Sequence, residues 1–287
     1  MANWAMTQIL SDRATDAQTA AFAMGLHITG ETPEQVAVLA ATMLEFANLV
    51  PAIPGVSVVV DVVGTGGDGS HSVNISTMAA VVAATCGVTV IKHGNRAFSS
   101  STGSADLLEA LGLDLDLTAK QVAAVAQIAG IGFCFAPNHH PAMRFAAPAR
   151  TQLGIPTVFN ILGPLTNPAL ANASLVGCAH VSLAPVMARV LADRGVRALV
   201  VRGTDGLDEI SLSAPTQVWD ATSGEVVETR LDPADFGIIG FRAEHLLGAS
   251  PERNADLTRK VFGGTDPGAD SEVVASIRLA VALNAAA

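Results

Sequence analysis

A glycine-rich segment, Gly64-Thr65-Gly66-Gly67-Asp68-Gly69, is the first part of the chain with an evident chemical use. Glycine lacks a Cβ atom, so the backbone can turn sharply there and present its N–H groups to an anion. The segment follows residues 56–63, a β-branched run interrupted only by Ser57 and Asp61. In open parallel sheets, ligands bind at the carboxyl ends of the strands. The segment therefore predicts a phosphate-binding loop, with a plain tight turn as the alternative.

Two later segments also suit a charged ligand. Lys92-His93-Gly94-Asn95-Arg96 follows a second predicted strand, 88–91, and Ser99-Ser100-Ser101-Thr102-Gly103-Ser104 precedes a predicted helix. Hydroxyls and free N–H groups at the start of a helix form a ready anion site. Three anion-suited segments close together in the chain predict a ligand with more than one phosphate.

Asp208 and Glu209 are adjacent carboxylates in a loop after another predicted strand, 197–201. Magnesium prefers oxygen ligands and typically joins one or two carboxylates to substrate phosphates. Alone, the pair is more typical of a solvated surface, but beside a polyphosphate ligand it becomes a candidate metal site. Arg150 could pair with a carboxylate ligand, although a lone arginine is more often a surface residue. His139-His140 has no third ligand at a useful spacing and is not favoured as a metal site.

Strands and helices alternate from residue 54 onward, which is typical of an α/β fold with a largely parallel sheet flanked by helices. Residues 1–50 are predicted to be helical instead, with capping boxes at Thr15-x-x-Gln18 and Thr32-Pro33-Glu34-Gln35. Residues 271–287 form a predicted amphipathic helix. The predicted strands are 56–63, 88–91, 157–160, 174–176 and 197–201, and two more helices are predicted at 76–86 and 104–112.

Composition narrows the choice of function. The net charge is −10, from 16 Lys plus Arg against 26 Asp plus Glu, which argues against a nucleic-acid partner. The three cysteines are far apart in apolar surroundings and are predicted to be small buried hydrophobic residues. Neither a signal peptide nor a membrane span is recognisable, so we expect a cytoplasmic protein with no membrane partner.

The glycine loop also matches the dinucleotide pattern Gly-x-Gly-x-x-Gly. That pattern expects an acidic residue after the next strand, where Lys92 and His93 stand. The following helix also begins well after the last glycine, near Asn74. Nicotinamide binding is therefore disfavoured.

Taken together, these segments resemble the anthranilate phosphoribosyltransferases of tryptophan biosynthesis. The resemblance runs from about Trp4 to the end of the chain with its motifs in the right order. The matching motifs are Gly64-Thr65-Gly66-Gly67-Asp68, Asn74-Ile75-Ser76-Thr77, Lys92-His93-Gly94-Asn95-Arg96, Gly103-Ser104-Ala105-Asp106, Leu108-Glu109-Ala110-Leu111-Gly112, the run from Asn160 to Pro168 and Asp205-Gly206-Leu207-Asp208-Glu209.

The resemblance implies a magnesium-dependent (Mg²⁺) enzyme that uses 5-phosphoribosyl 1-diphosphate as donor and anthranilate as acceptor. It implies a homodimer, each chain having a small helical domain, 1–53 joined by 139–153, and an α/β domain, 54–138 and 154–287. The implied metal ligands are Ser76, Asp208 and Glu209, and the implied acceptor contacts are Gly64, Asn95 and Arg150. The implied donor contacts are Gly64, Gly67, Asp68, Ser72, Asn74, Ile75, Ser76, Thr77, Lys92, His93, Gly94, Asn95, Arg96, Ser100 and Ser104.

Within that interpretation Lys92 acts electrostatically, His93 is a candidate for orienting the acceptor, and no required base is assigned. The chain departs from the family at Arg202, where relatives often have His, and in a first helix expected to be short or absent. The family also continues beyond the position of Ala287. Two alternatives stay open: a pyrimidine nucleoside phosphorylase-like enzyme, which needs no acidic metal pair, and a non-catalytic nucleic-acid-binding relative of the fold.

Overall fold

The computed structural model describes residues 1–97, 101–263 and 268–287. Its centre is a seven-stranded sheet with the strand order β3-β2-β1-β4-β5-β6-β7. The first five strands in that order are parallel, and the last two pair antiparallel. The strands are β1 Val59–Gly64, β2 Thr89–Gly94, β3 Ile131–Phe135, β4 Ala173–Gly177, β5 Arg197–Gly203, β6 Thr216–Asp220 and β7 Val227–Leu231.

Twelve α-helices lie in the described ranges. They are α1 Ala2–Leu10, α2 Asp16–Thr29, α3 Pro33–Glu45, α4 Ile75–Thr85, α5 Ser104–Ala110, α6 Ala119–Ala129, α7 Ala136–His139, α8 Ala147–Leu153, α9 Phe159–Leu162, α10 Ala184–Asp193, α11 Pro251–Gly263 and α12 Ser271–Ala286. In the same ranges no helix is both long and apolar enough to cross a bilayer. The predicted α/β fold with a helical amino-terminal part is confirmed.

The amino-terminal helices begin where their capping residues predict. Thr15 caps α2 and Thr32 caps α3, each in a reciprocal capping box with the glutamine three residues later. These boxes satisfy N–H groups that the first turn of a helix leaves unpaired. The first helix, expected to be short or absent, is present as the nine-residue α1.

The main hydrophobic core joins the helical part to one face of the sheet. It contains Met6 of α1, Leu39 of α3 and Met187 of α10 together with Val176 and Val200 of the sheet. Helices α4 and α12 cover the other face, where residues of α4 pack on β1, β2 and β5. The carboxyl ends of the parallel strands thus lie between two packed layers.

Three of the sequence-based predictions are wrong in detail. Residues 157–160 are not a strand: the Thr157 N–H donates to the Asn160 side chain (3.0 Å), and this turn leads into α9. Cys86, predicted to be buried, is exposed at the end of α4, while Cys134 and Cys178 are buried as expected. The first strand covers Val59–Gly64 rather than 56–63.

Candidate active site

The glycine loop, the segment after β2 and the acidic pair line one cavity of about 660 Å³. It lies at the carboxyl ends of β1 and β2, where the sequence places the ligand. All the predicted site residues with described coordinates are in its wall. These residues are Gly64, Gly67, Asp68, Ser72, Asn74, Ile75, Ser76, Thr77, Lys92, His93, Gly94, Asn95, Arg96, Ser104, Arg150, Asp208 and Glu209. Ser100, also predicted to contact the donor, lies outside the described residues.

The glycine loop is held against Asp208. The Gly66 N–H donates to Asp208 Oδ2 (2.7 Å), and Gly66, Gly67 and Gly69 all have positive φ angles. Such backbone angles favour glycine over residues with a Cβ atom. A Cβ atom on Gly64 would lie 2.5 Å from Asp208 Oδ2. The sequence is therefore glycine-rich here for two reasons, backbone conformation and the close approach of Asp208.

Gly177 lies opposite Gly64 in the register of β1 and β4. A Cβ atom there would lie only 1.6 Å from the backbone oxygen of Asp208. Strand β4 therefore makes room for the acidic loop at its last residue. Sequence reasoning did not identify Gly177 as part of the site, and its only local signal is a glycine at the end of a predicted strand.

Helix α4 presents its amino terminus to the cavity. The Ser76 N–H donates to Glu209 Oε1 (3.1 Å), and the Asn74 side chain donates to the Thr102 carbonyl (3.0 Å). The dipole of a helix and its unpaired N–H groups favour negative charge at this end. The helix begins at Ile75, one residue before the predicted start at residue 76, and this end of α4 can bind an anion.

Lys92 is buried, although its ammonium group borders the cavity. Its Nζ donates to the Val62 carbonyl and to Ser76 Oγ, the second at 3.2 Å. Burial lowers the pKa of Lys92, and the charges of Asp61, Glu209 and Asp208 oppose that shift. A cation is thus held next to the amino terminus of α4 and the acidic pair.

Asp208 and Glu209 are both buried, at 9% and 8% exposure. Burial raises the pKa of Asp208 well above its ordinary value, and the charges of Glu209 and Asp68 raise it further. Burial also raises the pKa of Glu209, against the opposing effect of Lys92. The predicted solvated-surface alternative is therefore wrong. Burial and mutual repulsion disfavour the ionised form of two neighbouring acids, so a bound cation would stabilise the ionised form of this pair.

His93 is a neutral imidazole at physiological pH. Its Nδ1 lies 3.0 Å from the Gly163 carbonyl, and Nε2 has no hydrogen-bond partner among the described residues. Burial, followed by the neighbouring His140, lowers its pKa to about 3. The His140 ring centroid lies 5.1 Å away. His93 is thus a weak base and suits orientation better than proton abstraction.

Asp61 lies in β1 behind this site and is fully buried. Its Oδ1 accepts the His93 backbone N–H (3.1 Å), and Oδ2 has no hydrogen-bond partner in the described ranges. Burial raises its pKa to about 6, although the charge of Lys92 and the Asn167 amide oppose the shift. The sequence signal was present, since Asp61 is the only charge in a β-branched run.

The remaining predicted residues divide between the two sides of the cavity. Gly94 has no room for a side chain, because a Cβ atom would lie 2.3 Å from Ser104 Oγ, and that hydroxyl donates to the Asn95 carbonyl. Arg96 is half exposed and paired with Glu109 (Oε1, 2.8 Å), so its guanidinium is bound to α5. Arg150 lies in α8, where burial lowers its pKa.

Arg202, which departs from the family pattern, is not in the cavity wall. Its Nε donates to the Ala179 carbonyl (3.0 Å) and its Nη1 to the Gly203 carbonyl (3.2 Å). The Ala179 N–H in turn donates to Thr65 Oγ1 (3.0 Å). Arg202 therefore supports the back of the glycine loop.

Two polar side chains to which the sequence analysis assigned no role secure the acidic loop. Asp205 accepts hydrogen bonds from the hydroxyls of Ser211 (2.7 Å) and Ser213 (2.9 Å). Asn284 of α12 is buried and makes two hydrogen bonds to the backbone of Ile210, at 2.9 and 3.0 Å. The two anchors lie on either side of Asp208 and Glu209 in the chain, so both ends of the loop are fixed.

Comparison with known proteins identifies the family. Two family models, described as the helical bundle domain and the a/b domain of a glycosyl transferase family, match residues 1–47 and 56–287. Anthranilate phosphoribosyltransferase of Nocardia farcinica is 53% identical over 284 residues, covering 99% of this chain and 79% of that protein. This chain belongs to the anthranilate phosphoribosyltransferase family. The enzyme of the same name from Rhodococcus jostii is 52% identical and covers 100% of this chain and 76% of the relative.

Solved structures of the family share this fold. Anthranilate phosphoribosyltransferase from Thermus thermophilus has a TM-score of 0.85 and 39% identity, covering 99% of this chain and 90% of that one. The Saccharomyces cerevisiae enzyme in complex with PRPP and Mg has a TM-score of 0.84 and 30% identity, and the match covers 97% of this chain and 80% of the yeast chain. These likenesses confirm the predicted family and fold class and do not favour the nucleoside phosphorylase or nucleic-acid-binding alternatives.

Proposed function

We propose that the chain transfers the phosphoribosyl group of 5-phosphoribosyl 1-diphosphate to the amine of anthranilate, as the family name states. The products are N-(5-phosphoribosyl)anthranilate and diphosphate, an early step of tryptophan biosynthesis. The observation that carries the proposal is the convergence of the glycine loop, the amino terminus of α4, Lys92 and the acidic pair on one cavity. A yeast relative was solved with PRPP and Mg, and another of its structures holds 4-fluoroanthranilate.

The donor would bind along the glycine loop and the amino terminus of α4. Backbone N–H groups of the loop and of α4, together with the ammonium of Lys92, offer complementary charge to its phosphates. The proposed donor contacts are Gly64, Gly67, Asp68, Ser72, Asn74, Ile75, Ser76, Thr77, Lys92, His93, Gly94, Asn95, Arg96, Ser100 and Ser104. Arg96 would have to break its ion pair with Glu109 to reach a phosphate, so it is the least preorganised of the proposed donor contacts.

The acceptor would bind between Gly64, Asn95 and Arg150, with the guanidinium of Arg150 pairing with its carboxylate. Met143 and Phe159 also border the cavity and supply apolar surface for an aromatic ring. His93 would orient the acceptor as a neutral imidazole, consistent with its lowered pKa.

Magnesium fits the residues present. Ser76, Asp208 and Glu209 supply oxygen atoms, which magnesium prefers, and the two carboxylates are buried side by side with raised pKa values. No three His, Cys, Asp or Glu side chains of the described residues are grouped as a metal site, so phosphates or water would complete the coordination. When bound, the ion would neutralise negative charge on the diphosphate.

The chemistry then requires charge stabilisation and positioning. Breaking the bond between ribose C1 and diphosphate leaves positive character on the sugar and negative charge on the leaving group. Lys92 and the N–H groups of the glycine loop stabilise that negative charge. The aniline nitrogen is unprotonated at neutral pH and attacks C1 as the bond to diphosphate breaks. The anilinium that forms is acidic and loses its proton to water or to the released diphosphate, so no strong base is required. Holding the two reactants together in a well-aligned geometry can contribute up to about 7–11 kcal/mol, and no covalent enzyme intermediate is involved.

We also propose the domain division, assembly and location that the family resemblance implies. Residues 1–53, joined by 139–153, form the helical domain, which is supported by the contact of α8 with α2. Residues 54–138 and 154–287 form the α/β domain. A homodimer would use the helical domain, where Trp4 is 67% exposed and Val38 is 39% exposed. The location would be the cytoplasm.

The decisive experiment follows the decay of anthranilate fluorescence with the donor present, with and without magnesium. We expect decay only when both donor and magnesium are present, and its loss when a chelator is added. Lys92→Ala should abolish the decay, whereas Lys120→Ala on the outer helix α6 should not. Unchanged decay in the chelator would contradict the magnesium assignment, and no decay under any condition would contradict the proposed reaction.

A further inference from the structure

Two loops of the proposed donor site are joined by a closed ring of four hydrogen bonds. The Asn254 side chain donates to Asn74 Oδ1 (3.1 Å), and the Asn74 side chain donates to the Thr102 carbonyl (3.0 Å). The Thr102 hydroxyl donates to the Ala249 carbonyl (2.6 Å), and the Ala249 N–H donates to Asn254 Oδ1 (2.8 Å). We call these four residues the hydrogen-bond ring.

The hydrogen-bond ring fixes the orientation of both amides. Asn254 and Asn74 each donate one bond and accept another within it, so turning either side chain by 180° would break both of its bonds. Asn254 is 2% exposed and Thr102 4% exposed. Asn74 is half-buried and Ala249 is exposed, so the ring is buried on one side only. The members of a hydrogen-bond network in which all bonds are made depend on one another.

A backbone pairing continues the ring on one side. The Val73 N–H donates to the Leu246 carbonyl (2.8 Å), and the Gly248 N–H donates to the His71 carbonyl (2.7 Å). A Cβ atom on Gly248 would lie 2.9 Å from the Ser72 carbonyl oxygen. The segment before α11 therefore lies directly against the residues that lead into α4.

The ring connects two segments that border the proposed donor site. Asn74 immediately precedes α4, and Thr102 lies two residues before Ser104. We propose that Asn254 and Thr102 are positioning residues, which set the distance between the amino terminus of α4 and Ser104, two of the proposed donor contacts. This inference rests on the proposed donor site.

The consequence is a specific kinetic effect. A site whose donor contacts are already at the right separation does not have to be ordered by the ligand, which favours binding. Opening the ring should weaken donor binding far more than acceptor binding, because Arg150, which would pair with the acceptor carboxylate, is on α8, outside the ring. Removing a single hydrogen bond predicts a rise of about five- to tenfold in the KM for the donor.

A matched set of threonine variants tests the inference. Thr102→Val removes the hydroxyl at nearly constant shape, whereas Thr102→Ser keeps it. Thr258→Val is the control, because Thr258 is also buried but its hydroxyl bonds the Asn254 carbonyl within α11. We expect Thr102→Val to raise the KM for the donor far more than that for anthranilate, and the other two variants to stay close to wild type. A loss of melting temperature in Thr102→Val with an unchanged donor KM would overturn the proposal.

A second measurement requires no turnover. The rise in melting temperature produced by donor and magnesium without anthranilate should be smaller in Thr102→Val and in Asn254→Ala than in wild type. The double variant should lose less than the sum of the two, because either change alone opens the same ring. If donor and magnesium raise the melting temperature of both single variants as much as that of the wild type, the positioning role of the ring is wrong. If they do not raise the melting temperature of the wild type, the proposed donor site itself is wrong.

Discussion

Gly177 gives the site its most direct test, because the backbone of Asp208 passes directly over it. A Cβ atom at this position would lie 1.6 Å from the Asp208 carbonyl oxygen, whereas contacts under 3.0 Å are essentially never seen. In Gly177→Ala, Asp208 or the end of β4 must therefore move by at least 3.0 − 1.6 = 1.4 Å. Asp205 and Asn284 hold the loop on both sides, so the displacement falls on the acidic pair itself.

A misplacement of about 1 Å can cost about 100-fold in rate, so we expect kcat/KM to fall by at least that factor, about 2.7 kcal/mol. Overpacking of a well-packed region also costs about 1–3 kcal/mol of stability. Anthranilate fluorescence decay measures the first quantity, and urea denaturation followed by circular dichroism measures the second.

Gly25→Ala is the matched control, since Gly25 lies inside α2 and a Cβ atom added there would have nothing within 4 Å. It should keep full activity and gain up to about 1 kcal/mol, because alanine favours helices more than glycine. If Gly177→Ala retained wild-type kcat/KM and stability, the close approach of Asp208 to β4 would be wrong.

Three further outcomes are expected. Asp208→Asn combined with Glu209→Gln should abolish turnover. The double variant should keep the ligand-free melting temperature of the wild type at neutral pH, because burial already disfavours both charges. Wild-type steady-state rates in this variant would refute the metal assignment. Arg150→Ala should raise the KM for anthranilate far more than that for the donor, while Arg189→Ala, in exposed ion pairs, should change neither; equal rises for both substrates would count against the acceptor assignment. Burial raises the pKa of Asp61 from 3.8 to about 6, so the folded state holds this proton more tightly than the unfolded state. The free energy of unfolding of the wild type, measured relative to that of Asp61→Asn, should therefore fall by about 3 kcal/mol as the pH rises from about 3.5 to 7. Denaturant titrations at several pH values measure this difference, and a difference that does not vary with pH would contradict the raised pKa of Asp61.

The sequence predicts the parallel part of the fold well because its signals are local. Residues 59–64 are a β-branched strand followed directly by glycines that the backbone conformation requires. Residues 157–160 show the limit of that approach, because Val158 and Phe159 suit a strand but the Asn160 side chain closes a turn. Strands β3, β6 and β7 were missed. Strand β3 contains Gly132, a residue type that is depleted in strands. The residues of β6 and β7 alternate in character, and β7 is mostly exposed.

The candidate site could be predicted only where its residues are close together in the chain. Glycines, Lys92 and the acidic pair are recognisable by type and spacing. The partners that hold them are not: Asn254 lies 180 residues from Asn74, and Thr102 lies 147 residues from Ala249. A single buried asparagine or threonine has no pattern that distinguishes it from a surface residue, so such contacts emerge only from the three-dimensional structure.

The anchoring of Ile210 by Asn284 has a consequence for biosynthesis. The ribosome makes Ile210 74 residues before Asn284, so a nascent chain holds the glycine loop and both acids well before it holds their anchor. Domains generally fold as units during synthesis, the amino-terminal one first. The acids gain their second support only after α12 has emerged from the exit tunnel and docked on the sheet, so competence for turnover has to wait for the synthesis of α12.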